Sequence, residues 1–151
     1  MWSKARATKN SEETEDGRYS CHGPAAKARA LKLSNAIIAA AIEVHRNLGP
    51  GLLESAYQAC LSRELRSRGI RLQEQVLLPI NYKGFPLDLD YRLDLLVEDL
   101  IIVELKSVER LEPVHHLQIL TYLRLSNRWL GLLINFNTDL IKHGLRRHLN
   151  G

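Results

Sequence analysis

The run "LDLLVEDLIIVELK", residues 93–106, constrains this chain more than any other stretch. It is almost wholly apolar, the pattern of strands covered on both faces. Yet Asp94, Glu104 and Lys106 lie inside it. A buried charge is costly unless it is paired or hydrogen-bonded. Either ion pairs satisfy these three groups, or the strands are built around a cation that the chain does not supply.

Alternation puts Arg92, Asp94 and Leu96 on one face, with Leu93, Leu95 and Val97 on the other. Ile102, Glu104 and Lys106 share a face, and Ile101, Val103 and Leu105 share the opposite one. The connection at Glu98-Asp99 sets the register. A two-residue turn pairs Asp94 with Val103 and points Glu104 away. A three-residue loop pairs Val97 with Ile101, which sets Asp94 opposite Glu104 and Arg92 opposite Lys106. Glu-Asp suits a two-residue type I′ turn poorly, so the longer loop or a bulge is expected. Facing carboxylates repel unless a cation or proton sits between them. The structural alternative is an ion pair, Asp94–Arg92 or Glu104–Lys106.

Around this run the periodicity predicts an ααβββαβ order, with a helix or tail at the end. Ile37, Ala41, Val44 and Leu48 form a helical stripe within about Ala30–Leu48, stopped by Gly49 and Pro50. A second helix is expected over residues 51–68, closed by Gly69, with Tyr57, Leu61 and Leu65 inward. Strands are expected over 71–81, 87–97 and 100–107, with a turn at Lys83-Gly84. Pro113 opens a third helix, "RWLGLLINF" reads as a buried strand, and "TDLIKHGLRRHL" as the short helix or tail. The fold class is mixed α/β, a central mixed sheet flanked by helices.

Two helices bring further polar groups. Glu54 lies one turn before Tyr57, on the inward face or as a charge complementing the helix dipole. His115, Gln118 and Tyr122 repeat as a polar stripe on the third helix, facing a pocket or the surface.

With 151 residues, 45% of them hydrophobic, the chain has enough apolar material for one domain, assigned to residues 29–151. Residues 1–28 are polar and read as disordered or loosely attached. Net charge is +4, half of it on residues 1–29, so the surplus is thin and only compatible with a polyanionic partner. Cys21 and Cys60 have no metal or redox spacing and read as reduced thiols of a cytoplasmic protein. No apolar run approaches the roughly 20 residues of a membrane span.

"GLLESAY" (Gly51, Glu54, Tyr57), "VHRNLGPG", "RLDLLV", "IIVELKSVE", "HHLQILTYL" and "GLLINF" together resemble the GxxExxY proteins of the PD-(D/E)XK nuclease-like superfamily. The resemblance spans roughly residues 33–137. It implies a restriction-endonuclease-like core and Mg²⁺-dependent hydrolysis of phosphodiester bonds in DNA or RNA, with Mn²⁺ as a substitute and a homodimer as one arrangement. Asp94 matches the first acidic position and Glu104-Leu105-Lys106 the E-x-K tripeptide, while Leu93 stands where the signature has Pro. Asp94, Glu104 and the Leu105 carbonyl are then the metal ligands, with Glu54 acting through a water or ligating a second ion. Lys106 orients the attacking water or stabilises the transition state, and Gln118 lines the catalytic site. Tyr57, Arg92, His115 and Tyr122 are candidate substrate contacts. Two other readings are a binding module that hydrolyses nothing and a purely structural or oligomerising protein.

Overall fold

The computed structural model describes residues 22–151. Helix α1 spans Pro24–Leu48 and α2 spans Glu54–Ser67. Strands β1 (Leu72–Tyr82), β2 (Phe85–Val97) and β3 (Ile101–Lys106) follow. Helix α3 (Pro113–Ser126) leads to β4 (Leu130–Asn135), a short 3₁₀ turn (Ile141–His143) and β5 (Leu145–Leu149). Most of the segment read as loosely attached, including Cys21, lies outside the described residues.

The first helix starts earlier than its periodic stripe because Pro24 occupies the first turn, where a missing N–H costs nothing. Gly49 ends it with φ 68°. The second helix starts three residues later than expected, at Glu54. Gly49 and Gly51 both hold positive φ, and they keep the connection extended. Ile37, Ala41 and Val44 are buried as expected, but Leu48, the last residue of the helix, is exposed.

The sheet runs β1-β2-β3-β4-β5. All neighbours are antiparallel except β3 and β4. A parallel pair needs a crossover, and α3 supplies it. Helices α1 and α2 cover one face, where Ile37, Tyr57, Leu61 and Leu65 pack against Leu95, Val97, Val103 and Leu105. Helix α3 covers the other, with Ile119, Tyr122 and Leu123 against Leu96, Ile102 and Leu133. The expected mixed sheet flanked by helices is therefore present, and β3 and β4 are sealed on both sides. Among the described residues no helix is long and apolar enough to cross a membrane.

The end of the chain corrects the sequence reading. "LRRHL" is a strand, pairing Leu145 with Ile134 and Leu149 with Leu130. Its charged residues hid it, because an edge strand tolerates polar side chains that a central one does not. It gives β4 the second partner that a buried strand's amides require.

Gly144 sets the approach of β5 to β4. Its φ of −102° is ordinary, so its need is steric. An added Cβ would lie 2.2 Å from the Asn135 carbonyl oxygen, while the Asn135 N–H donates to the Gly144 carbonyl at 2.8 Å. At Gly131 the nearest atoms are the ends of the Ile119 and Leu123 side chains, at 2.9 and 3.3 Å. Those can rotate, and backbone cannot. Gly144→Ala is expected to cost about 1–3 kcal/mol in urea melts, and Gly131→Ala less. Equal losses would contradict this steric account.

Candidate active site

Strand β2 reaches β3 through Glu98, Asp99 and Leu100. Val97 pairs with Ile101, Leu96 with Ile102 and Leu95 with Val103. This is the three-residue register expected, and it brings Asp94 level with Glu104. The turn itself departs from expectation. Glu98 and Asp99 both adopt left-handed φ, 51° and 54°. Such angles are strained for these residues and need outside support. Arg71 supplies it to Glu98, its amide donating to Oε1 at 3.0 Å and its Nη2 to Oε2 at 2.9 Å. Arg128 donates to both the carbonyl and the carboxylate of Asp99.

The β2–β3 pairing ends at Leu95–Val103, one level before the acids. There the carboxylates replace it. The Asp94 N–H donates to Glu104 Oε1 at 3.0 Å, and the Leu105 N–H donates to Asp94 Oδ2 at 2.9 Å. The Asp94 carboxylate is thus wedged between two strands rather than standing on one face. The expected cross-strand pairing of Arg92 with Lys106 does not occur, because the ladder has already stopped.

Alternation also fails at this level. Leu93, expected with Leu95 and Val97, packs instead with Leu96 and Ile102 on the α3 side. Strand β1 changes phase at the same level. Leu72 packs on the α1–α2 side and Glu74 binds Ser62 of α2, whereas Val76 packs on the α3 side. Between them Gln75 has φ 50°. Both strands shift together, so the register survives. Arg92 is thereby turned to the face opposite Leu93 and Leu96. It is exposed, and the alternative of an Asp94–Arg92 ion pair is absent among the described residues, as is a Glu104–Lys106 pair.

Glu104 is 3% exposed. Burial, then the neighbouring Asp94 charge, push its pKa up to about 8, against the pull of the Asp94 amide and the Lys106 ammonium. Lys106 is half-buried two residues along the same strand. The Lys106 carbonyl accepts the Phe136 N–H at 2.9 Å. Strand alternation therefore turns the Leu105 carbonyl toward β2, the side of Asp94.

Helix α3 approaches from the other direction. Gln118 Nε2 donates to the Tyr122 hydroxyl at 2.8 Å. Burial and then the Glu104 charge raise the Tyr122 pKa, with Asp94 adding to the effect. Gln118 and Tyr122 are thus brought beside the acid pair. His115 is engaged elsewhere: its Nδ1 accepts the Glu112 N–H at 2.9 Å as part of a capping box.

Helix α2 contributes Glu54 from its exposed first residue, not from the inward face. Two bonds tie the start of this helix to the part of the sheet that carries the acids. Ser107, just past β3, donates to the Leu52 carbonyl, and Gln58, one turn beyond Glu54, meets Gln75, whose amide reaches Asp94. Tyr57 does not fit its expected role as a substrate contact, because it has no exposed surface. Its hydroxyl donates to the Gly49 carbonyl at 2.6 Å and accepts the Leu52 N–H at 3.1 Å, and its ring stacks on Phe136. It fastens the loop that carries Glu54.

Three residues that shape the site were missed. Gln58 stands four residues after Glu54, the spacing of one helical face, and that signal was available. Asn135 is a lone amide in an apolar strand. It is buried and binds both the N–H and the carbonyl of Val108, fixing the chain after Lys106. Gln75 had no sequence signal, since nothing about a strand glutamine announces a left-handed φ.

The acid pair offers only oxygen donors, which suit a hard divalent cation. Two carboxylates that repel each other and a carbonyl turned toward them fit such an ion. Among the described residues no group of three or more His, Cys, Asp or Glu side chains is placed to hold a metal ion, so waters and substrate oxygens would complete the shell.

No curated protein and no solved structure matches the chain. The family model of the PD-(D/E)XK nuclease superfamily matches residues 31–148, from within α1 to within β5. The chain belongs to the PD-(D/E)XK nuclease superfamily.

Proposed function

We propose that the chain is a Mg²⁺-dependent nuclease of the GxxExxY type, cleaving phosphodiester bonds in nucleic acid. The observation that carries this reading is the pair of buried Glu104 and half-buried Asp94, which meet backbone amides and each other but no ion-paired cation among the described residues. The GxxExxY spacing has a physical sense here. Gly51 supplies a φ of 100°, Tyr57 ties the loop down, and Glu54 begins the helix at the site's edge.

When bound, a divalent cation supplies activation of a water and neutralisation of charge on the phosphate. Asp94, Glu104 and the Leu105 carbonyl are the groups that hold it. Glu54 orients water at the open side. Lys106, free of ion pairs among the described residues, offers an ammonium to the attacking oxygen or to charge developing on the phosphate. Gln118 and Tyr122 present an amide and a hydroxyl to a phosphate oxygen, and Arg92 lies further out along β2.

A second reading is a binding module that hydrolyses nothing. It draws on the donor count: Glu54 is exposed, and only two acids meet. Cleavage of labelled single- and double-stranded DNA and RNA under Mg²⁺ separates the two. Metal binding without cleavage of any of them favours the module.

Asp94→Asn and Glu104→Gln are each expected to weaken Mg²⁺ binding at least about tenfold, the loss of one charged ligand, and to abolish cleavage. Both should fold at least as stably as the wild type without metal, because each ends the carboxylate–carboxylate opposition that helps force Glu104 to hold a proton. Undiminished Mg²⁺ affinity by titration calorimetry in either variant would refute the ligand assignment.

The raised pKa of Glu104 fixes the sign of two pH effects. Between the ordinary carboxylate value of 4.5 and about 8, the folded protein keeps a proton that the unfolded chain has lost. Metal-free stability therefore falls as pH rises across that window and flattens above it. Mg²⁺ affinity runs the other way, rising until Glu104 has lost its proton. Glu104→Gln should remove this contribution to the stability slope, and its advantage over wild type in thermal melts should grow toward pH 8. A constant difference from pH 5 to 8 would place the proton elsewhere.

A further inference from the structure

Gln75 sits where the sheet changes phase, and three independent features meet there. Its backbone is left-handed, φ 50°, in the middle of a strand and without glycine's freedom. Its pairing with Asp94 is missing from a register that is otherwise unbroken from Leu72↔Val97 to Pro79↔Asp90, between Glu74↔Leu95 and Val76↔Leu93. Its side-chain amide Nε2 lies 2.7 Å from Gln58 Oε1 and 3.4 Å from Asp94 Oδ1. A non-glycine residue at positive φ in a strand is uncommon, and such strain concentrates where a side chain must be aimed.

We propose that Gln75 is the positioning residue of the acid pair, its strained backbone aiming an amide that, braced by Gln58, holds the Asp94 carboxylate in place. The proposal rests on the reading of Asp94 as a metal ligand and adds to it the device that orients the ligand. Asp94 is gripped from two sides, by the Leu105 N–H on Oδ2 and by Gln75 on Oδ1. Both donors are neutral amides. An arginine or lysine there would orient the carboxylate equally well, but it would also neutralise the charge that a cation needs. Gln58 fixes the brace to α2, the helix that begins with Glu54. The brace therefore links the two acidic contributions from different elements.

Gln75→Gly and Gln75→Asn separate the aim from the fold. Glycine and asparagine tolerate left-handed φ better than glutamine, so both variants relieve strain, and neither side chain reaches as far. Gln58→Ala removes the brace from the helix side with the best helix former. The first readout is hydrogen exchange at the Leu105 amide, with the Val103 amide in the same strand as control. Leu105 exchange should quicken about tenfold in both Gln75 variants, the scale of one bond to a charged group. Val103 should be unchanged and the melting temperature held or raised. Mg²⁺ affinity should fall several-fold, and Gln58→Ala should shift both readouts the same way by less.

Unchanged Leu105 exchange in both Gln75 variants would overturn the proposal. So would equal acceleration at Val103 with a lower melting temperature, which is general loosening. Asp94→Ala, run alongside, judges the metal reading separately. If it keeps full Mg²⁺ affinity, that reading fails, and Leu105 exchange still decides whether Gln75 positions Asp94. If it loses Mg²⁺ while the Gln75 variants bind normally and protect Leu105, the ligand stands and the positioning role falls.

Discussion

Backbone amides in a sealed sheet must find acceptors, and at one level of this sheet the acceptors are carboxylates. Where the β2–β3 pairing stops, the amides of Asp94 and Leu105 turn to Glu104 and Asp94. The two acids are therefore parts of the sheet as well as its chemical centre. Each uses one oxygen to replace a ladder bond, and the strands stay joined through their oxygen donors. The surrounding core follows from this arrangement, since α1, α2 and α3 close over β3 and β4 on both sides and leave Glu104 little water.

That closure also separates the roles of the two acids. Glu104 lies deep under α3 and holds a proton to about pH 8, while Asp94 is only half-buried and gripped by amides. The deeper acid withholds its charge and takes it up when a cation arrives, beside a partner that lies nearer the surface. The Tyr122 hydroxyl, raised by burial and by Glu104, belongs to the same electrostatic unit.

The sequence carried the frame and the acid pair well, and failed where geometry was not local. The apolar runs at 93–106 and 128–136 could only be buried strands, and the poor fit of Glu-Asp to a tight turn pointed to the register observed. The reason was only partly right, since Glu98 and Asp99 do take left-handed angles with help from Arg71 and Arg128. Those arginines are distant in sequence, so no local rule could include them. Strict alternation misplaced Leu93 and Arg92 because it assumes an unbroken pleat. Tyr57 was read from its neighbour Glu54 as part of the site, whereas its burial makes it a fastener of the backbone. Strand β5 was hidden by its arginines, whose side chains say little about which backbone partner β4 needs.

The phase change at Gln75 and Asp94 has a consequence for the outer hairpin. Beyond that level Val76 and Leu78 pack on the α3 side, and Tyr91 meets Tyr122. The hairpin thus carries two hydrophobic reading frames, one inward of the acids and one outward, spliced at a single level. Because the splice occurs in both strands, it leaves the pairing in step. Loss of one residue from one strand alone would break that agreement. Either the hydrogen bonds would slip, or the outer apolar face would roll away from α3. The pairing already shifts once nearer the tip, between Pro79 and Asn81, so insertions and deletions should be tolerated from there to the Lys83-Gly84 tip and not between Pro79 and the acids.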